Sequence, residues 1–434
     1  MNKSLAPGSY LRSVATLMAG TVLAHGLVIA VTPVLTRLYS PQDFGVFAVY
    51  LAIVNLFGVA ACLRYEMAIV LPEDDAESVG LLGLSLAAVV VVAVALLLLV
   101  ASFRADVARV MGMPALAGLL WLVPVAVLLR GTYQALNYQA TRHKRMRRIA
   151  SSRVGQAVTA AAGQIAAGAA AAPGALGLVG GQVAGTLAAA GVLVHGYRRE
   201  IVQALMRLRN VRALLPLAGR YRSFPYFNVP ASLLNVGAYE VPALILGLFF
   251  ADAVVGEFAV AMRVVALPSA FISASLSQVF YQRASEVHRR SGHTRDVTVP
   301  SLRALLYLAL PSYLVLGLAA PWVFVPIFGD PWAQAGVYVA VLSPLCFFMF
   351  MVAPISQLFL VFGKQRAIFG FQLLFLVISA AAFTTAGLSG SPLLGVILFS
   401  ALGSVRYMAM LVYMCRLDGI SPTDIVFGRR PNRP

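Results

Sequence analysis

Val79-Gly-Leu-Leu-Gly-Leu-Ser-Leu-Ala-Ala-Val-Val-Val-Val-Ala-Val-Ala-Leu-Leu-Leu-Leu-Val-Ala101 is an uninterrupted run without one charged residue. At 1.5 Å per residue a helix of this length reaches about 35 Å, enough to cross a hydrocarbon core of roughly 30 Å. Outward from it, the same kind of run recurs along the whole chain. Runs bounded by charges, Gly and Pro fall near residues 13–35, 44–62, 79–101, 114–137, 151–172, 175–195, 224–250, 255–279, 299–325, 335–360, 367–387 and 392–415. The first begins near Tyr10 and passes into the next without a small-residue cleavage site, so it reads as a membrane helix rather than a removable signal. The sequence therefore predicts an all-α polytopic membrane protein with about twelve transmembrane helices.

Composition agrees. Hydrophobic residues make up 60% of the 434 positions and charged residues 11%, whereas soluble domains carry about 25% charged residues. The net charge of +17 invites a nucleic-acid reading, but the placement of the charges argues against it. Counting alternate connections from the N-terminus, 27 of the 33 basic residues fall on one side and three, Arg37, Arg104 and Arg109, on the other. This is the positive-inside pattern, which puts both termini in the cytoplasm and needs no nucleic-acid partner. Cys62, Cys346 and Cys415 lie too far apart for a metal or disulfide framework. No phosphate-cradling glycine loop, nucleophile elbow or metal motif is present, so neither ATP nor any cofactor is expected, and no enzyme activity.

The expected organisation is a first lobe of six helices over 1–196, a basic cytoplasmic linker over 197–223, a second lobe over 224–416 and a basic tail over 417–434. Within the linker, Ile201, Leu205, Leu208, Val211 and Leu215 recur among arginines. That spacing suits a helix lying on the inner leaflet with its basic face toward anionic lipid, or equally a solvated connector. A weak internal repeat supports duplicated halves. Phe44-Gly-Val-Phe-Ala-Val49 resembles Val255-Gly-Glu-Phe-Ala-Val260, each at the start of a run. Eight prolines interrupt the spans, among them Pro33, Pro242 and Pro268, and Gly181-xxx-Gly185 allows two helices to approach closely.

Three stretches carry a family resemblance. They are Pro33-Val-Leu-Thr-Arg-Leu-Tyr-Ser-Pro-Gln-Asp-Phe-Gly45, then Leu63-Arg-Tyr-Glu66 with Leu71-Pro-Glu-Asp-Asp75, and later Tyr221-Arg-Ser-Phe-Pro225 through Pro230 to Gln282-Arg-Ala-Ser-Glu286. Together they resemble bacterial polysaccharide-biosynthesis flippases of the multidrug/oligosaccharidyl-lipid/polysaccharide exporter superfamily. The resemblance implies two pseudo-symmetric six-helix lobes around a central cavity. It also implies alternating access that carries a polyprenyl-diphosphate-linked glycan from the cytoplasmic to the periplasmic leaflet. Membrane lipids, a polysaccharide polymerase and other glycan-assembly proteins would then be its partners.

An ionised side chain inside a bilayer is costly and asks for a reason. Four stand out within the runs: Arg130, Glu240, Arg263 and Arg406. Arginine suits a diphosphate, because its planar fork pairs with phosphate oxygens and stays charged. Arg263 is the first choice, since the resemblance implies a basic residue facing the cavity on its helix. Glu240 falls at nearly equal depth on the preceding helix, where the two are expected to pair, with Glu240 coupling to a proton or sodium ion or acting as a fixed structural partner. Arg406 is a second candidate cation. Arg130 is expected either in the substrate path or snorkelling to the headgroups. Arg64 joins the substrate-binding candidates as a gate or local pair with Glu66. Asn55, Asn137, Asn235 and Gln278 are candidate sugar hydrogen-bonders. The rival readings are a drug or cation antiporter of the same superfamily, whose cavity would want acidic and aromatic residues, and a membrane polymerase or glycosyltransferase, which would need a sizeable outside loop.

Overall fold

In the computed structural model, residues 7–170, 174–208, 211–421 and 424 are described, and all the regular structure among them is helical. The order is α1 (Pro7–Leu38), α2 (Pro41–Ala60), a 3-10 turn over Tyr65–Val70, α3 (Asp75–Val110), a single turn α4 (Leu116–Leu119), α5 (Leu122–Arg142), α6 (Met146–Ala169) and α7 (Ala175–Gly196). Two short helices follow, α8 (Arg198–Leu208) and α9 (Val211–Arg220), then α10 (Val229–Phe249), α11 (Asp252–Val265), α12 (Leu267–Ser291) and α13 (Arg295–Phe328). The chain continues through α14 (Ala333–Ile355), the turn α15 (Leu358–Val361), α16 (Gln365–Ser389) and α17 (Pro392–Leu417). Lys3, Pro173 and most of the expected tail lie outside the described residues, as does the side chain of Gln278.

Nine helices among the described residues are long and apolar enough to cross a membrane. The other expected spans are α5, α6 and the α11–α12 pair. The expected eighth span is one run over 255–279, but the helix breaks at Ala266, with Pro268 in the first turn of α12. Proline lacks the N–H that would continue the ladder, which accounts for the break. Helices α5 and α6 miss the apolar criterion because they carry arginines and carboxamides within the span, and these matter below.

Two compact units divide the chain, Met1–Gly256 and Glu257–Pro434. The division falls later than the expected linker, because α10 lies along α2 while α8 and α9 lie on α3. In the first unit, glycine sets the helix spacing. A Cβ on Gly181 would fall 2.7 Å from the backbone nitrogen of Gln164, and one on Gly185 2.6 Å from the carbonyl oxygen of Gln156, so α7 seats directly on α6. Gly45 and Gly256 are constrained in the same way. A Cβ on Gly45 would overlap the carbonyl oxygen of Asp252, and one on Gly256 would overlap that of Pro41.

Local chemistry explains how the chain enters α2. Ser40 caps α2 by accepting from the Asp43 N–H at 3.3 Å, while its own N–H donates to Asp43 Oδ2 at 3.0 Å, and Pro41 opens the helix. This is a capping box with proline at the position where a missing N–H costs nothing. Helices α8 and α9 are held to α3 by Arg220 to Glu77 at 2.9 Å and by Arg207 Nη1 donating to the Ala76 carbonyl at 2.6 Å. Of the expected apolar set Leu205 and Leu215 are exposed, beside Val202 and Met206.

The second unit packs α13 on α14, α14 on α17 and α17 on α16. Its core includes an aromatic cluster in which Phe383 and Phe399 lie 5.4 Å apart and Phe375 stacks on Phe399 at 5.5 Å. The start of α13 is tied to the chain beyond α17, where Asp418 accepts from the Thr294 N–H and hydroxyl, both at 2.7 Å.

Candidate functional site

One face of α5 carries Arg130, Tyr133, Gln134 and Asn137, at i, i+3, i+4 and i+7, the spacing that lines up side chains along a helix. This face closes a cavity of about 340 Å³ with Tyr50, Leu51 and Val54 of α2, Gln156 of α6, and Gln182 and Thr186 of α7. A second cavity of about 300 Å³ shares Tyr133, Gln156 and Gln182 with the first and continues to Thr21 and His25 of α1 and Arg153 of α6. The helices poorest in apolar residues are therefore the ones whose polar side chains have a cavity to face.

Arg130 stands at one wall. Gly58 of α2 leaves the groove in which it lies, since a Cβ there would come within 2.7 Å of Arg130 Cδ. Its Nη1 donates to Asn55 Oδ1 at 2.6 Å, and Asn55 Nδ2 donates to Glu240 Oε1 at 2.8 Å. A single carboxamide thus bridges the cation and the carboxylate of α10, with its two ends oriented by their opposite charges. An acceptor on Asn55 and the gap at Gly58 are what hold the Arg130 guanidinium at this wall.

The other expected residues fall elsewhere. Arg64 sits in the left-handed region at φ 64°, in the elbow after α2, and reaches Glu66 at 3.4 Å. Glu66 is fully buried and its Oε2 has no hydrogen-bond partner among the described residues. Arg263 lies in the last turn of α11, half-buried and within the second unit, whereas Glu240 belongs to the first and takes its hydrogen bond there from Asn55. Arg406 is buried in the second unit. Its Nε donates to the Phe371 carbonyl at 3.0 Å, and its guanidinium lies 4.2 Å from the Tyr407 ring centroid and 4.8 Å from that of Phe375. Cation–π contact with two rings compensates part of its desolvation, although Nη1 has no hydrogen-bond partner among the described residues. Asn235 is exposed.

Sequence reasoning picked out Arg130, Asn55 and Asn137 and missed Tyr133, Gln134, Gln156, Gln182 and Arg153. The α5 portion was within reach through its spacing; the convergence of α6 and α7 on it was not. Among the described residues no group of His, Cys, Asp and Glu could hold a metal ion.

The first unit is a bundle of apolar helices with polar cavities among them. The chain belongs to the polysaccharide biosynthesis protein family, whose model matches residues 34–336. Its fold is similar to that of the lipid II flippase MurJ in an inward closed conformation, with a TM-score of 0.72 at 11% identity, covering 93% of this chain and 87% of that one. It is also similar to a multidrug resistance MATE family transporter of the MOP superfamily in an inward-facing conformation, with a TM-score of 0.56 at 14% identity over 94% and 96% of the two chains. A Vibrio cholerae MATE transporter gives 0.58 at 13% identity over 94% and 95%. No curated protein matches this sequence. The protein is thus a multi-pass membrane protein with the fold expected from its apolar runs.

Proposed function

We propose that this protein flips a polyprenyl-diphosphate-linked oligosaccharide from the cytoplasmic to the periplasmic leaflet of a bacterial inner membrane, for surface polysaccharide synthesis. The observation that carries the reading is Arg130, a cation at the wall of a polar cavity and held there by Asn55, in a member of a polysaccharide-biosynthesis family. A diphosphate headgroup needs such a cation, and guanidinium pairs with its oxygens at two points. Arg130 and Arg263 are the groups proposed to meet the diphosphate, with Arg406 and Arg64 as the remaining charges of the path. Asn55 leaves Glu240 close enough to sense the state of Arg130, which makes Glu240 the proposed ion-coupling group. Both termini face the cytoplasm, and a polymerase and other assembly proteins act on the delivered glycan. No ATP is consumed.

The antiporter reading would want carboxylates toward the substrate, yet no Asp or Glu lines either cavity. The test is accumulation of lipid-linked precursor in cells where Arg130→Ala, Arg130→Lys, Arg263→Ala or Arg263→Lys replaces the native gene. Alanine variants that insert normally are expected to accumulate precursor and lose surface glycan, with lysine restoring a part. If deletion of the whole protein leaves both precursor and surface glycan unchanged, the flippase reading fails.

A further inference from the structure

Four carboxamides face the first cavity: Gln134 and Asn137 from α5, Gln156 from α6 and Gln182 from α7. None of their side chains hydrogen-bonds another described residue. Other amides on the same helices behave differently. Gln139 accepts from Ser78 Oγ at 3.3 Å, and Gln164 Nε2 donates to the Leu178 carbonyl at 3.0 Å, each holding two helices together. All four are half-buried and open to the cavity, so their hydrogen-bonding groups are left for water or a ligand to meet. Four such groups from three helices, aimed into one space, form a built recognition surface rather than a set of packing contacts.

The chemistry of that surface selects its ligand. Each carboxamide offers two donors and an acceptor on one plane, which matches the paired donor and acceptor character of adjacent sugar hydroxyls or of an N-acetyl group. The Tyr133 ring supplies an apolar face for the C–H side of a sugar ring. Arg130 is the only charged residue on the wall, and Asn55 already engages it. A volume of about 340 Å³ is near the low end of ligand pockets, roughly 300–1,000 Å³. It suits one or two sugar rings and not a whole repeat unit. Resting on the lipid-linked-glycan reading above, we infer that this cavity is a subsite for an uncharged sugar of the cargo, read by Gln134, Asn137, Gln156 and Gln182 while the cations hold the diphosphate. Selection of the glycan thereby lies in the first unit and is separable from affinity for the lipid anchor.

The full-length protein in lipid nanodiscs tests this by native mass spectrometry. The probes are undecaprenyl diphosphate alone and undecaprenyl-diphosphate-linked N-acetylglucosamine, galactose and glucose. Wild type is expected to bind at least one sugar-bearing lipid about tenfold more tightly than the bare lipid. Replacing Gln134→Leu and Gln182→Leu together is expected to remove that preference and leave the bare-lipid affinity unchanged, because a site built to hydrogen-bond its ligand discriminates through those bonds. The near-isosteric Gln182→Met decides the matter if the double variant does not fold. Gln164→Leu is the structural control, lowering the melting temperature without altering the ratio. A preference kept in the Gln134 and Gln182 variants overturns the subsite, as does wild type binding bare and sugar-bearing lipids alike; in both cases the flippase reading stands. Wild type that binds none of the four probes overturns the flippase reading, and the subsite with it.

Discussion

At Asn55 one amide serves two opposite charges, taking a hydrogen bond from Arg130 and giving one to Glu240. Asn55→Leu removes both and leaves each ion without its polar partner, so it is expected to abolish export while Asn55→Asp retains the link to Arg130. The assay is surface glycan against the amount of inserted protein. Glu66 gives a second prediction, outside the membrane-crossing segments. Burial raises its pKa above the ordinary value of 4.5, and a bond to its own backbone N–H together with Arg64 lowers it by less. Below about pH 4.5 the group is neutral in both folded and unfolded chains and costs the fold nothing. As pH rises from there through the raised value, the unfolded chain ionises first and the fold loses stability. Wild type in detergent is therefore expected to melt lower at pH 7 than at pH 4.5 by an increment that Glu66→Gln lacks. The charged residues of both clusters were legible in the sequence as misfits in an apolar chain. The local Arg64–Glu66 pair was legible as well, but the link from Arg130 through Asn55 to Glu240 was not, because Asn55 and Glu240 are separated by 185 positions and only folding brings α2 beside α10.

Helix contacts in the first unit depend on missing side chains. On α7, Gly185→Leu would drive its branch into the Gln156 carbonyl and the Ala160 backbone, an overpacking cost of about 3 kcal/mol. Gly180 and Gly191 lie on the same helix with nothing within 4 Å, so alanine at either leaves the melting temperature unchanged or slightly raised. Thermal melts of the four proteins in one detergent separate these outcomes. Most elements were legible: the runs near 79–101, 175–195 and 392–415 appear as α3, α7 and α17. The boundary of the first unit was harder, since hydropathy carries no information about which helix lies against α2. The runs near 114–137 and 151–172 became α5 and α6 although Gln134, Asn137 and Gln156 make them read as polar, and the cavity those side chains face is something no linear pattern displays. Nor does the sequence distinguish Gln134 from Gln139, although one faces open space and the other is bonded to Ser78.

Across the whole chain, the 27-to-three split of basic residues predicts which loops face the cytoplasm. All three cysteines are free and buried, so a membrane-impermeant maleimide is expected to leave wild type unlabelled. In intact cells, Leu388→Cys, at an exposed position near the end of α16, is expected to label, whereas Arg147→Cys, at the start of α6, labels only after the membrane is permeabilised. The opposite pattern would invert the orientation. The close approach of Gly45 to Asp252 and of Gly256 to Pro41, all in the first unit, also shapes what genetics can repair. Because Gly45 and Gly256 each abut a carbonyl oxygen of the main chain, no shortened neighbouring side chain can relieve a substitution there. Suppressors of Gly45→Ala should therefore be absent from the adjoining side chains and arise at distant positions that let α2 shift along its axis, so a selection for regained surface glycan would mark those positions without any further structure.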